Sequence, residues 1–292
     1  MNRPDPRTPG PKPPFAEREQ PAPGYEQRMR QRPDHGETTY VGHGRLRDRV
    51  ALVTGADSGI GRAVALAFAR EGADVGISYL EEHEDARETA RLVEEAQRRA
   101  LLLPGDVADP RHCANIVEKT AATLGRLDVL VNNAAFQGKA VESFEDIDAE
   151  RVERTFRTNI ISMFHLVHAA LKRLPAGGVI INVASIQAYA PSAAIVDYAS
   201  TKGAIVTFTK GLVSDLAKRG IRVNCVAPGP VWTPLVMQSY PKERIAKFGA
   251  DSPMERPAQP AEIAPAFVFL ASDESRFVNG EVLGVTGGRP LA

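Results

Sequence analysis

Tyr198 and Lys202 carry the clearest chemical signal in the sequence. They stand four residues apart in a stretch, 197–219, whose spacing predicts a helix, so their side chains share one face. A free phenol has a pKa of about 10 and is a poor base at neutral pH, but a nearby ammonium favours the phenolate. We therefore expect Lys202 to lower the pKa of Tyr198 and to make it a usable acid or base. Taken alone, the spacing also fits a solvent-exposed pair on a helix surface.

Three further polar residues are candidates for the same site. Ser185 comes just after the apolar run 179–183, where a parallel sheet places its ligands, and its hydroxyl could donate to a substrate oxygen. Gln187 could hydrogen-bond a polar substrate. Asn159 stands inside the helical pattern 149–171, where asparagine is unfavourable. The alternative for Asn159 is a buried side chain that only satisfies backbone groups.

A glycine-rich turn precedes these residues in the chain. The segment Thr54-Gly55-Ala56-Asp57-Ser58-Gly59-Ile60-Gly61 lies between the first apolar run and the first helical pattern. There, Gly55 would allow a tight turn, Gly59 would let backbone approach a pyrophosphate, and Gly61 would permit close helix packing. The N–H groups and positive dipole of the helix N-terminus favour an anion. The segment predicts a dinucleotide site.

Strand and helix patterns alternate along the rest of the chain. Short β-branched runs predict strands buried on both faces at 50–54, 75–79, 100–103, 129–132, 179–183, 223–226 and 282–285. Longer stretches with helical spacing occupy 63–70, 85–99, 111–124, 149–171, 197–219 and 261–270. The alternation predicts a seven-stranded parallel sheet with helices on both faces, in one α/β domain spanning 46–292.

Residues 1–45 differ in composition from this domain. They are rich in Pro and Arg with hardly any aliphatic residues, so they cannot bury a core of their own. We expect an extended or partly disordered tail, either flexible or lying on a neighbouring subunit.

Composition excludes several classes of function. The 36 Lys and Arg balance 36 Asp and Glu, which leaves no excess positive charge for nucleic acid or an anionic membrane surface. The chain shows no apolar run long enough to span a bilayer and no secretory signal, so we expect a cytoplasmic protein. The two cysteines, Cys113 and Cys225, supply neither a disulfide framework nor a metal site.

The glycine spacing resembles that of the short-chain dehydrogenase/reductase family rather than the commoner Gly-x-Gly-x-x-Gly. Ala135 departs from the family, which usually has Gly there. The resemblance covers about residues 46–289, and further family motifs follow in order: Asp106-Val107, Asn132-Asn133-Ala134-Ala135, Asn159, Ser185, Tyr198-x-x-x-Lys202 and Pro228-Gly229.

The resemblance implies a Rossmann-like doubly wound fold and an NAD(P)-dependent oxidoreductase acting on a carbonyl or alcohol. It implies catalytic roles for Asn159, Ser185, Tyr198 and Lys202, and substrate contacts from Ser185, Gln187 and Tyr198. It also implies a homotetramer. The cofactor-binding residues it implies are Gly55, Asp57, Ser58, Gly59, Ile60, Gly61, Tyr79, Asp106, Val107, Asn133, Ala134, Tyr198, Lys202, Pro228, Gly229, Val231 and Thr233.

The choice of cofactor depends on charge near the second strand. An acidic residue there would favour NAD, and a basic residue there or in the glycine turn would favour NADP. Ser58 occupies the turn position that is commonly basic in NADP-preferring relatives, Glu81 and Glu82 follow the strand, and Arg62 is the nearest basic candidate. The acidic surroundings favour NAD.

The substrate is less constrained by the sequence. Residues 231–256 should form a mobile lid whose aromatic residues pack on the domain or line an apolar pocket. The tail and the stretch from Ser185 to Tyr189 resemble glucose/ribitol-type dehydrogenases and bacterial general-stress oxidoreductases. A sugar or polyol and a small aldehyde or ketone fit equally well.

Two other functions share parts of this pattern. A dinucleotide-binding sensor would not need the complete set of Asn159, Ser185, Tyr198 and Lys202. An epimerase or dehydratase of the extended branch would need a further C-terminal substrate domain, which we do not expect.

Overall fold

The computed structural model describes residues 5–291, and a single parallel sheet forms its centre. The strands are β1 Val50–Thr54, β2 Asp74–Tyr79, β3 Ala100–Pro104, β4 Val129–Asn132, β5 Val179–Val183, β6 Arg222–Pro228 and β7 Val282–Val285. Their order in the sheet is β3-β2-β1-β4-β5-β6-β7, and every neighbouring pair is parallel. The fold prediction is therefore confirmed.

Alternate residues of the central strands enter two separate apolar cores. In β1, Ala51 and Val53 pack in one core while Leu52 packs in the other, because successive strand side chains point to opposite faces. The expectation of burial on both faces fails for β3 and β7. Both are edge strands, so fewer neighbours cover them.

Helices cover both faces of the sheet. The helices are α1 Gly59–Arg70, α2 His83–Glu95, α3 Pro110–Leu124, α4 Ala149–Phe156, α5 Ser162–Ala170, α6 Val196–Ala217, α7 Pro234–Ser239, α8 Lys242–Ala246 and α9 Pro260–Ala271. The first core receives side chains from α1, α2 and α9, and the second receives them from α3, α5 and α6. Within residues 5–291, no helix is both long and apolar enough to cross a membrane.

Two irregular features bear on the site. The predicted helix over 149–171 is divided by a π-helical turn, Arg157–Ile161, which joins α4 to α5. Two short helices, α7 and α8, occupy the stretch expected to form the lid. The strand order reverses between β1 and β4, and a ligand site is expected outside the carboxyl ends of strands at such a point.

The tail contacts its own domain. It is extended apart from a short 3₁₀ helix, Glu26–Arg28, and its Phe15 ring stacks on Trp232 at 4.0 Å between centroids. Farther along, Asp34 N–H donates to Gln259 Oε1 and Arg45 forms an ion pair with Glu71. Neither alternative expected for the tail included contacts with its own domain. Residues 1–4 and 292 lie outside the described part of the chain.

Candidate active site

The glycine turn between β1 and α1 has the backbone geometry that its sequence predicts. Gly55 and Gly59 have φ values of +62° and +50°, which side-chain-bearing residues rarely adopt. A Cβ on Gly61 would lie 1.9 Å from the carbonyl oxygen of Gly55, so the helix start can pack this closely only with glycine there. The Asn133 side chain fixes the turn by donating to the carbonyls of Thr54 and Gly55, both at 2.9 Å.

One backbone donor at the start of α1 is already engaged. The N–H of Gly59 donates to Glu26 Oε2 of the tail at 2.9 Å. Glu26 is 1% exposed and also forms an ion pair with Arg62. The sequence gives no periodic or motif signal for this carboxylate, because the tail shows no pattern that would predict its path.

A continuous cavity runs from this turn to the carboxyl end of β5. Fifteen of the residues predicted for the site line this cavity, and they include both the glycine turn and the Tyr-Lys pair. They are Gly55, Asp57, Ser58, Gly59, Ile60, Tyr79, Asp106, Val107, Asn133, Ala134, Ser185, Tyr198, Lys202, Pro228 and Thr233.

Five predicted residues lie outside the cavity wall, and the structure gives each another position. Gly61 lies under the turn, and Gly229 lets the backbone pass Thr286, whose carbonyl oxygen would be 2.7 Å from a Cβ. Val231 pairs with Ala258 in an isolated parallel bridge. The Gln187 side chain accepts a hydrogen bond from Ser192 N–H at 2.7 Å, so its placement does not support the expected substrate contact. Asn159 is the fifth.

Asn159 lies in the π-helical turn and is fully buried. Its Oδ1 accepts from Phe136 N–H at 2.7 Å, and its Nδ2 donates to Phe136 O at 2.9 Å and to Thr201 Oγ1 at 3.1 Å. The side chain thus satisfies backbone groups and ties the segment after β4 to α6. The catalytic role that the resemblance implies for Asn159 stays a prediction.

Tyr198 and Lys202 lie side by side in the cavity wall. They are 7% and 2% exposed, and Lys202 Nζ lies 5.1 Å from the centroid of the Tyr198 ring. The solvent-exposed alternative for this pair is therefore wrong. Lys202 Nζ also donates to the carbonyl of Val183 at 2.8 Å, which anchors the ammonium at the end of β5.

Burial shifts both pKa values in the directions that favour the neutral forms. It raises the pKa of Tyr198 above its ordinary value, and a hydrogen bond with Ser185 opposes that rise. It lowers the pKa of Lys202 to about 8. The expected lowering of the Tyr198 pKa by Lys202 is not found, because burial disfavours the phenolate, the charge of Tyr240 adds to this effect, and only the hydrogen bond with Ser185 lowers the pKa.

The other end of the cavity is acidic. Burial, followed by the charge of Glu82, raises the pKa of Asp57 to about 7. Burial also raises the pKa of Glu82, although its carboxylate accepts a hydrogen bond from Glu81 N–H. β2 ends at Tyr79, whose hydroxyl lies 3.0 Å from His83 Nδ1.

Arg62 is not the phosphate-binding group that its position suggested. Its guanidinium is buried, pairs with Glu26 and donates to the carbonyls of Asp57 and Asp85. It does not line the cavity. The interpretation of Arg62 as the nearest cation for a 2′-phosphate was wrong, because nearby carboxylate and carbonyl oxygens occupy its donors.

Sequence comparison places this site in a family. A family model described as enoyl-(acyl carrier protein) reductase matches residues 55–289. Oxidoreductases and solved structures of short-chain dehydrogenases are also similar to the chain. The chain belongs to the short-chain dehydrogenase/reductase family. It is 50% identical over 289 residues to an uncharacterized oxidoreductase of Bacillus subtilis, covering 99% of both chains.

Other members of the family carry more specific names. An Arabidopsis thaliana protein named NADPH-dependent aldehyde reductase 1, chloroplastic, is 45% identical over 91% of this chain and 94% of its own length. A Daucus carota protein named glucose and ribitol dehydrogenase is 47% identical over 91% and 93%. A crystal structure of a short-chain dehydrogenase from Burkholderia cenocepacia in complex with NADP superposes with a TM-score of 0.76 at 33% identity, over 84% of this chain and 98% of that chain.

The chain is accordingly an NAD(P)-dependent oxidoreductase of the short-chain dehydrogenase/reductase family. The cavity fits such a cofactor, because the glycine turn leaves room that any Cβ would fill: a Cβ on Gly59 would lie 3.0 Å from Thr233 Cγ2. The earlier preference for NAD is not supported, since the names of these relatives mention NADPH and NADP.

Several cavity residues had no motif to reveal them. Leu235 and Gln238 of α7, within the stretch expected to form the lid, line the cavity, and Phe136, Arg154 and Thr158 line it beside the segment after β4. For Arg154 and Thr158, the only available signal was their i, i+4 spacing on α4 and the π-turn. Ala22, Pro23 and Gly24 of the tail also line the cavity.

Proposed function

We propose that this oxidoreductase interconverts a carbonyl and an alcohol at the site formed by Ser185, Tyr198, Lys202 and Asn159. The observation that carries the proposal is the single cavity that connects the glycine turn to Ser185 and Tyr198. A nicotinamide cofactor, when bound, supplies or accepts the hydride. Everything else in the reaction is the work of the protein's own groups.

The residues have separate roles in this proposal. The Ser185 hydroxyl donates a hydrogen bond to the substrate oxygen and stabilises its developing negative charge. Tyr198 gives its hydroxyl proton to that oxygen during reduction and takes it back during oxidation. Lys202, held by Val183 O at 2.8 Å, supplies a positive charge beside the phenol and a donor for the nicotinamide ribose. Asn159 fixes the π-turn and the loop at Phe136 that border the site.

The cavity favours a small substrate with polar and apolar parts. Phe136 and Leu235 provide apolar wall, while Gln238 and Arg154 provide polar groups. We infer an aldehyde, ketone or polyol substrate, a class that agrees with the names of the Arabidopsis and Daucus relatives. Gln187 is not part of the proposed contact set.

We infer a preference for NADP(H) over NAD(H). The support comes from the names of the relatives and from β2, which ends in Tyr79 rather than a carboxylate. Burial raises the pKa values of Asp57 and Glu82, which reduces the negative charge that a 2′-phosphate would meet. The cavity end they line has no arginine or lysine among the described residues, so the preference should be modest.

We also propose a homotetramer located in the cytoplasm. The support for this assembly comes from the segment from α4 to α5. Its apolar residues Val152, Ile161 and Phe164 are exposed in the single chain, and exposed apolar patches are typical of protein–protein interfaces.

The test of the proposed function combines binding and turnover. Purified protein is titrated with NADPH and NADH separately, and oxidation of each is followed over a panel of aldehydes, ketones and sugars. The proposal expects binding of NADPH, with turnover of at least one class of carbonyl compound. Binding without turnover of any compound in either direction would instead indicate a dinucleotide sensor.

A further inference from the structure

Residues 20–26 of the tail, which we call the strap, contribute to the wall of the active-site cavity. Ala22, Pro23 and Gly24 line the same cavity as Ser58 and Gln238. The strap therefore lies between the glycine turn on one side and α7 on the other.

One end of the strap is fastened to the glycine turn through Glu26. Its carboxylate accepts from Gly59 N–H at 2.9 Å, contacts His35 Nε2 at 3.0 Å and forms an ion pair with Arg62. The carboxylate and the guanidinium are both buried, so removal of Glu26 would leave Arg62 with only the Asp85 carboxylate, at 3.6 Å, as an ion-pair partner. Glu26 itself does not line the cavity. It therefore acts on the site only through its hydrogen bond to the glycine turn.

The other end of the strap is fastened to α7. Gln20 N–H donates to Met237 O at 3.0 Å, and Gly24 N–H donates to Gln238 Oε1 at 2.8 Å. Gly24 packs so closely on the helix that an added Cβ would lie 2.6 Å from Pro234 O. The strap therefore fixes the side chain of Gln238, a residue of the substrate wall.

Trp232 reports on this attachment. It is the chain's single tryptophan and is fully buried, with Phe15 stacked on it and its Nε1 donating to Gln31 O at 2.8 Å. Phe15 precedes the strap in the chain and Gln31 follows it. Detachment of the tail would remove both contacts and expose the indole to water.

We propose that the strap is a structural part of the active site, in which Glu26 and Gly24 are positioning residues that hold the glycine turn and α7 around a bound dinucleotide. The inference rests on the proposed function and adds determinants that the family motifs do not contain. The strap forms part of the cavity wall, so loosening it should speed cofactor release.

The experiment uses full-length protein and the variants Glu26→Gln, Gly24→Ala and Glu37→Gln. Glu37 is the matched control, because its carboxylate also contacts His35, at 2.9 Å, yet it touches neither the turn nor α7. NADPH affinity is measured by energy transfer from Trp232, its release rate by stopped-flow displacement, and tail attachment by Trp232 emission without cofactor.

The expected result is a rise of about tenfold in the NADPH Kd of Glu26→Gln, mainly through faster release, since charged hydrogen bonds contribute strongly when buried. Gly24→Ala should also speed release and should raise KM for the carbonyl substrate more than it lowers kcat. Glu37→Gln should match the wild type.

Three outcomes would overturn the inference. Wild-type release rates in Glu26→Gln and Gly24→Ala with shifted Trp232 emission would show a tail that detaches without affecting the site. Equal effects in Glu37→Gln would show general destabilisation, and tighter binding in Glu26→Gln would show that the carboxylate opposes the cofactor. Failure of wild-type protein to bind NADPH or NADH would instead contradict the proposed function.

Discussion

At the scale of single residues, the burial of Lys202 destabilises the folded chain while it places the ammonium beside Tyr198. The pKa of Lys202 is about 8 in the folded chain against an ordinary lysine value of 10.5, so the unfolded chain binds more protons between these two values. The free energy of unfolding therefore rises with pH across this window, and the cost of the buried ammonium is fully present below it.

Lys202→Met tests this balance. At pH 7 the free energy of unfolding of the variant should exceed that of the wild type by at most about 3 kcal/mol. The loss of the hydrogen bond to Val183 O reduces this gain. The gain should shrink as the pH rises toward 10.5. Urea unfolding at several pH values measures it, and turnover should fall sharply in the same protein. A variant that is less stable at every pH would contradict this account of Lys202.

Glu82 tests the choice of cofactor at the acidic end of the cavity. Glu82→Gln removes a carboxylate beside Asp57 and should raise the ratio of kcat/KM for NADPH over NADH by about threefold to tenfold, since each tenfold is about 1.4 kcal/mol. Glu81→Gln is the matched control, because Glu81 is exposed and does not line the cavity. If the ratio of kcat/KM for NADPH over NADH were unchanged in Glu82→Gln, the Glu82 carboxylate would not repel the 2′-phosphate.

At the scale of elements, the π-turn between α4 and α5 depends on one side chain. Asn159→Ala would leave the partly buried N–H and carbonyl of Phe136 without these partners, which should lower the free energy of unfolding by about 1–3 kcal/mol. Asn115→Ala, on the exposed face of α3, should change it by less than about 0.5 kcal/mol. Chemical denaturation compares the two, and equal stability in both would remove the structural role of Asn159.

The sequence predicted the central elements closely. The predicted strands at 50–54, 129–132, 179–183 and 282–285 coincide with β1, β4, β5 and β7, because β-branched runs too short for helices have few alternatives. It did not predict α7 or α8, which are short and whose apolar residues lack a full helical period. Edge exposure of β3 and β7 depends on sheet order, which local pattern does not contain.

The parts of the site that could be predicted from the sequence are those in which backbone geometry restricts the type or spacing of the residues. The glycine turn could be predicted because Gly55 and Gly59 adopt positive φ, and the Tyr-Lys pair because helical spacing sets its face. The role of Arg62 was missed because its partner, Glu26, stands 36 residues away in a tail without periodicity. Long-range contacts of this kind leave no mark in local spacing.

At the scale of the whole molecule, the proposed tetramer makes a direct prediction. Light scattering after size exclusion should give a mass of four chains, and Phe164→Glu should shift it to smaller species because Phe164 is 55% exposed on α5. Phe144→Glu, at an exposed position outside α4 and α5, should leave the mass unchanged. A wild-type mass of one chain at all concentrations would contradict the tetramer.

The measurement that most directly tests the central claim compares wild type with Tyr198→Phe. NADPH binding is followed by fluorescence and its oxidation by absorbance, with the best carbonyl substrate of the panel. Removal of the hydroxyl should leave the NADPH Kd within about twofold and lower kcat by about 10²–10⁴-fold, the usual range for general acid–base catalysis. If Tyr198→Phe bound NADPH normally and kept most of its turnover with every carbonyl tested, proton transfer by Tyr198 would be contradicted.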